Sequence, residues 1–274
     1  MSRVLLDNAP TIRLAAFAGM LLVMALWEVL APRRAQRFGR WRRWPSNLGI
    51  VLLDTLAVRL LIPTSLAAFA AYVAAQGWGL LNLLPTPGFI AVIASILLLD
   101  LAIYGQHVAF HAVPVFWRLH RMHHSDLEID VTTGIRFHPI EILLSVVIKM
   151  AVIAVLGAPA VAVLLFEILL NATSMFNHSN AALPGWLDVL LRALLVTPDM
   201  HRIHHSVVRV ETDSNYGFNL SLWDRLFGTY RAEPAAGQLG MTIGIEAFRE
   251  PAELRLDRML TQPFREDAAK SLDP

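Results

Sequence analysis

The chain is 274 residues long, 55% hydrophobic and only 16% charged, with a mean hydropathy of +0.51, whereas soluble domains carry about a quarter charged residues. That balance excludes an ordinary water-soluble domain and reads as an integral membrane protein. A net charge of +1 gives no footing for nucleic acid, and the lack of cysteine excludes disulfides, thiolate zinc sites and iron–sulfur clusters within this chain.

The first apolar run, from about Ile12 to Leu30, is long enough to cross a hydrocarbon core and lacks the small-residue end of a cleaved signal peptide, so it is expected to remain as an anchor. Arg33, Arg34, Arg37, Arg40, Arg42 and Arg43 follow directly, and the positive-inside rule puts this loop on the cytoplasmic side. A second run, from about Leu48 to Ala75, is expected to leave the cytoplasm as one crossing. A third, from about Phe89 to Tyr104, returns, with Pro85, Pro87 and Gly88 marking the far-side turn. His107 and His111 then continue the third helix.

The stretch from Ile140 to Phe176 is too long for one crossing and is broken at Gly157, Ala158 and Pro159, which predicts a helical hairpin. Lys149 and Glu167 each lie nine residues from Ala158, so the two arms are expected to hold them at equal depth, neutralising one another. Trp186 to Thr197 reads as an interfacial helix, amphipathic and too short to span. A tail dense in turn formers and aromatics follows, with a short amphipathic helix at Leu254 to Leu260. The expected fold class is all-α, a membrane bundle of about four transmembrane helices with a cytosolic histidine-rich helical cap. Residues 1–105 supply membrane helices, 106–230 the histidine-bearing region with its membrane hairpin at 140–177, and 231–274 a cytosolic tail.

All ten histidines lie between His107 and His205. His107 and His111 are four apart; His120, His123 and His124 form HRMHH; His201, His204 and His205 form HRIHH about eighty residues later. On a helix, positions i, i+3 and i+4 share a face, so each triplet is expected to offer three imidazoles to one side, as two halves of one metal site. Four ligands fill a tetrahedral zinc, so eight or more convergent imidazoles imply two metal ions. Imidazole suits iron, zinc, copper and nickel alike and does not choose among them. The topology places every histidine group on the cytoplasmic side, at the mouth of the bundle and within reach of an apolar substrate held in the bilayer.

The series HVAFH, WRLHRMHHSD, RFHPIE, NHSN, DMHRIHHS and DSNYGFNLSLWDRLFGTY resembles the fatty acid hydroxylase superfamily, which includes sterol desaturases, sterol methyl oxidases and related lipid hydroxylases. The resemblance covers roughly His107 to Tyr230. It implies a non-haem diiron centre that activates O2 to hydroxylate or desaturate an unactivated C–H bond of a lipid. Carried over residue by residue, it implies His107, His111, His120, His123, His124, His201, His204 and His205 as iron ligands, with His178 matching the histidine between the second and third boxes. His138, in RFHPIE, is a tenth candidate, able to reach the metals, to hydrogen-bond a ligand or to cap the turn.

Neutral imidazoles leave two divalent ions uncompensated, so acids behind the ligands should matter, because a metal-bound histidine usually donates its other ring N–H to a carboxylate or carbonyl. Asp126, Asp130, Glu141, Asp199 and Asp213 are the candidates, with Asn177 placed to hydrogen-bond water at the site. Tyr216, Trp223 and Asp224 are expected to brace the third box. Two electrons must come from outside the chain, since it has no haem-attachment or dinucleotide motif. The implied donor is a separate ferredoxin or cytochrome with its reductase, and the arginine loop is a possible acidic-donor dock whose ordinary topological role has the stronger claim. The expected setting is a bacterial inner membrane. Two rivals fit less well: a zinc hydrolase, which needs three protein ligands and a water, and a metal transporter, whose ligands would lie along a path across the membrane.

Overall fold

A computed structural model describes residues 2–266, and over them the chain is helical, with only isolated β-bridges outside helices and turns. The last eight residues of the expected tail, 267–274, lie outside the described residues. A short helix α1 (Ser2–Asp7) leads into α2 (Ala9–Leu30), which carries Pro10 in its first turn, where a missing N–H costs nothing. The arginine loop then opens α3 (Arg40–Leu61), followed by α4 (Leu66–Ala75), the single turn α5 (Leu80–Leu83) and α6 (Gly88–Ala112).

The run from Leu48 to Ala75, expected as a single crossing, is built from two helices. Pro63 lacks the amide hydrogen that would continue the ladder, and it forces Ile62 into extended backbone (φ −115°, ψ 102°). Ser65 restarts the helix by accepting a hydrogen bond from the Ala68 amide at 3.1 Å.

After α7 (Pro114–His124), the run predicted as a hairpin breaks at Gly157, Ala158 and Pro159 into α8 (Pro139–Leu156) and α9 (Ala160–Asn177), which do not pack along one another. Its turn depends on Gly157, whose φ of +68° favours glycine and which a side chain could not share with the Trp78 carbonyl, 2.8 Å from where a Cβ would sit. Lys149 and Glu167 make no direct ion pair, although Glu167 lies within electrostatic reach of Lys149. Glu167 instead pairs with Arg13 at 3.1 Å, because α2 packs along α9 and brings that guanidinium within reach.

α9 is the centre of the bundle, with α2, α4 and α6 against it, while α8 packs on α3, α4 and α6. Leu66, Leu99, Ile103, Ile153, Val163 and Phe166 form the interior. Leu14, Leu22, Leu26, Leu52 and Leu60 point outward. Five helical stretches are long and apolar enough to cross a membrane: Ala9–Leu30, Arg40–Leu83, Gly88–Ala112, Pro139–Leu156 and Ala160–Asn177.

The remaining chain gathers at one end of this bundle as α10 (Gly185–Arg192), α11 (Pro198–His204), α12 (Arg209–Thr212) and α13 (Leu222–Leu226). In α10 the charged pair Asp188 and Arg192 turns inward at 2.5 Å, and Trp186, Val189 and Leu190 turn outward. That inverted amphipathicity suits a helix lying against lipid.

Candidate metal centre

α6 delivers His107 and His111 on one buried face of its last turns, and a bend at Val113 and Pro114 starts α7, whose last turn carries His120, His123 and His124. Thr197 caps α11 by accepting from the Met200 amide, and Pro198 opens its first turn; His201 and His204 lie on the helix and His205 closes it. His178 is the C-cap of α9. These nine imidazoles come together in two groups. His107, His111, His120, His124 and His204 form one, and His123, His178, His201 and His205 the other, with the available nitrogens in each within 4.8 Å of one another.

Each triplet is therefore shared between the groups rather than aimed at one point. The α7 triplet gives His120 and His124 to the first group and His123 to the second, while the α11 triplet gives His204 to the first and His201 and His205 to the second. His124 and His205 stack across the division, centroids 4.5 Å apart.

Hydrogen bonds at the backs of the rings fix which nitrogen faces inward. Nδ1 of His107, His123, His178 and His204 each meets a backbone carbonyl, of Tyr216 (2.7 Å), Arg136 (3.0 Å), Ser174 (2.7 Å) and Ser214 (2.7 Å) respectively. A carbonyl only accepts, so Nδ1 carries the proton and Nε2 presents a lone pair. Yet Nε2 of His178 lies 3.1 Å from Nε2 of both His123 and His201, and Nε2 of His107 lies 3.1 Å from Nε2 of His120. At the roughly 2.0–2.1 Å metal–nitrogen distance typical of zinc, adjacent ligand nitrogens fall about 3 Å apart. Further buried nitrogens have no protein partner: Nε2 of His111 and His204, and both ring nitrogens of His124 and His205. Lone pairs facing lone pairs, beside buried nitrogens left unsatisfied, fit a pair of cations held by neutral imidazoles.

Burial pushes His120 and His178 down to about 3 and holds His123, His124, His201, His204 and His205 well below the ordinary histidine value, so these rings are neutral donors at physiological pH.

His138 stands outside both groups. As N-cap of α8 its Nδ1 accepts from the Ile140 amide (3.2 Å), and its Nε2 donates to the Leu260 carbonyl (3.3 Å), so neither nitrogen is left for a metal.

Of the acids expected behind the ligands, two touch them. Glu141 Oε1 lies 2.7 Å from His120 Nδ1, and Asp213 Oδ1 lies 3.3 Å from His111 Nδ1. The other three hold arginines instead. Asp126 accepts both Nε and Nη2 of Arg43 (2.9 and 2.8 Å), Asp130 takes Arg43 Nη1 (2.6 Å), and Asp199 binds Arg33 and Arg202. Burial opposes ionisation of Asp126, but Arg43 and Arg136 win and hold it at about 2. Asn177 donates to the Phe218 carbonyl (2.9 Å), and its buried Oδ1 has no protein partner.

Sequence reasoning missed Arg43 and Arg136, whose buried side chains tie the arginine loop to the segment after the second box, and Glu28, which accepts from the Val131 and Asn180 amides. It also missed the carbonyls behind the rings, since backbone atoms leave no trace in residue types. Asp224, expected to brace the third box, accepts from the Tyr216 and Gly217 amides and from Thr229, in the turn that presents the Tyr216 carbonyl to His107 of the first box. The arginine loop is largely consumed internally, with Arg33 on Asp199, Arg34 on the Met241 carbonyl, Arg40 on Glu28 and Arg43 on Asp126 and Asp130.

A cavity of about 1010 Å³ runs through the bundle and opens onto His107 and His120, with Phe110, Phe137 and Phe218 on its walls at that end.

The fatty acid hydroxylase family profile matches residues 92–229. Relatives include an ornithine lipid hydroxylase of Rhizobium tropici, 31% identical over 154 residues (55% of this chain, 45% of that protein). An alkylglycerol monooxygenase of Homo sapiens is 28% identical over 167 residues (59% and 35%), and a very-long-chain aldehyde decarbonylase of Oryza sativa subsp. indica is 27% identical over 135 residues (46% and 21%). The matched region thus spans less than half the length of each of these relatives. No solved structure matches. With half the chain covered by the profile and the histidines of that region gathered in two groups, the protein belongs to the fatty acid hydroxylase family.

Proposed function

We propose that this protein is a membrane-bound non-haem diiron oxidoreductase that uses O2 to hydroxylate or desaturate a lipid. The observation that carries the reading is the division of nine buried imidazoles into groups of five and four, each triplet contributing to both. One tetrahedral zinc needs four ligands at most, and a hydrolytic one keeps a position for water. The grouping at one end of the bundle also supplies no ligand path across it, which speaks against a transporter.

When bound, the iron pair would supply the O2 activation and one-electron chemistry that breaks an unactivated C–H bond. His107, His111, His120, His124 and His204 would hold one ion, and His123, His178, His201 and His205 the other. The chain's own residues do the rest. Glu141 and Asp213 orient His120 and His111 and place negative charge behind neutral rings. The Asp224 turn and the Arg43–Asp126–Arg136 cluster fix the loops whose carbonyls set the other tautomers. Phe137, stacked on His123 at 4.4 Å, and Phe218 help to keep water from the cavity mouth. Asn177 Oδ1 is available to hydrogen-bond solvent.

Hydroxylation requires two electrons and two protons per O2, with one oxygen entering the lipid and the other leaving as water. Since the sequence has no haem-attachment or dinucleotide motif, a separate ferredoxin or cytochrome with its reductase would supply the electrons. The arginine loop would face the cytoplasm of a bacterial cell, putting the histidine end at the inner leaflet boundary. Residues 106–230 would form the catalytic region, 1–105 would wall the substrate cavity, and 231–274 would remain cytosolic. The test is lipid profiling by mass spectrometry of cells with and without the protein. One added oxygen or two lost hydrogens, dependent on O2, supports the reading and names the reaction; an unchanged lipid profile opposes it.

A further inference from the structure

Besides Asp54 and Glu141, five charged side chains line the cavity: Asp7, Arg13, Arg59, Lys149 and Glu167. Arg13 and Glu167 pair at 3.1 Å, and Lys149 lies within electrostatic reach of both. Arg13, Arg59 and Lys149 against Asp7 and Glu167 leave these five side chains with a formal charge of +1. Asp54 lies within electrostatic reach of Glu141, the residue that touches His120, and so belongs to the histidine end. Lys149 makes no ion pair among the described residues, although it sits on a membrane-spanning helix, where an uncompensated charge is expensive unless something in the bundle answers it. The cavity supplies the space for such a group: it is continuous from this cluster, past Phe17, Val58 and Ile103, to His107 and His120. Along α8, eight residues separate Glu141 from Lys149, a rise of about 12 Å.

We propose that the cavity seats an amphiphile whose anionic group, a carboxylate or a phosphate, is held by Lys149 and Arg13, with its hydrocarbon running toward His107 and His120. This deepens the oxygenase reading by naming the substrate class as a lipid with an anionic head rather than a wholly apolar molecule, and it rests on that reading only for the fate of the bound chain.

The test is retention of lipid by the detergent-solubilised full-length protein, read by native mass spectrometry with palmitate, phosphatidylglycerol or hexadecanol at equal concentration. Palmitate or phosphatidylglycerol should be retained over hexadecanol by on the order of tenfold, the weight of one hydrogen bond to a charged group. Preference for palmitate alone would identify the carboxylate, preference for phosphatidylglycerol alone the phosphate, and either supports the proposal. Lys149→Met should abolish the preference and Lys149→Arg should keep it. Equal retention of hexadecanol by the unaltered protein overturns the proposal even if Lys149→Met fails to fold, as does a folded Lys149→Met that keeps the preference. Because no turnover is involved, the result separates from the oxygenase reading. An unaltered protein with no preference but intact O2-dependent lipid oxidation sinks only this inference, and anion retention by an unaltered protein that binds no iron sinks only the oxygenase.

Discussion

Nε2 of His123 and Nε2 of His178 face each other at 3.1 Å, although both rings have already committed Nδ1 to backbone carbonyls, of Arg136 and Ser174. With the protons at the backs of the rings, two lone pairs meet in a buried space, an arrangement that repels unless a cation lies between them. The chain maintains it from three separate elements, α7, the end of α9 and the loop before α8. That convergence accounts for the burial of nine imidazoles at one end of an otherwise apolar bundle.

His178 is one of only four donors in its group. His178→Ala should lose about one of two metal equivalents, with activity falling by more than the roughly 10–100-fold that loss of an outer hydrogen bond costs. Elemental analysis of the purified variant checks this, and a full metal complement would show that His178 is not a ligand.

Glu141 acts through His120. Glu141→Gln keeps an acceptor oxygen for His120 Nδ1 but removes the charge, and Glu141→Leu removes both. Metal affinity and activity should fall in that order, by roughly 10-fold and 100-fold, while the helical circular dichroism stays unchanged. Equal behaviour of both variants and the parent would remove Glu141 from the site.

His138 gives the opposite expectation. His138→Ala should retain all its metal and lose thermal stability, by about 0.5–2 kcal/mol, through the lost cap on α8. Loss of a metal equivalent would return His138 to the ligand set.

These contrasts show what the sequence could carry. Helix periodicity was enough to place His107 with His111 and to bring both triplets to one end, because spacing of four residues is a local property. The break between α8 and α9 was legible from Gly157 and Pro159 for the same reason. The sharing of each triplet between two groups was not legible, since it depends on how α7 and α11 face one another across the bundle. Nor was the Arg13–Glu167 pair, which joins residues 154 positions apart through the packing of α2 on α9. The role of His138 was left open by the sequence, because a histidine beside box residues looks the same there whether it binds a metal or caps a helix.

The buried histidines also set a pH dependence. Their folded-state values lie below the ordinary 6.5, His120 and His178 at about 3, so as pH falls below 6.5 the unfolded chain takes up protons that the folded one refuses. Stability of metal-free protein is therefore full above pH 6.5 and drops below it, by about 1.4 kcal/mol per pH unit for each such histidine. Metal should move this loss to lower pH, because it competes with protons for the same nitrogens. Melting temperatures of metal-free and iron-loaded protein between pH 7.5 and about 5 provide the check; a flat metal-free profile would contradict the neutral, buried assignment.

Metal stoichiometry tests the central claim most directly. Anaerobic reconstitution of the metal-free full chain with ferrous iron, followed by elemental analysis and Mössbauer spectroscopy, should find two irons per chain bound through nitrogen. Saturation at one ion, or no specific uptake at all, would contradict an account in which nine imidazoles form two adjoining sites.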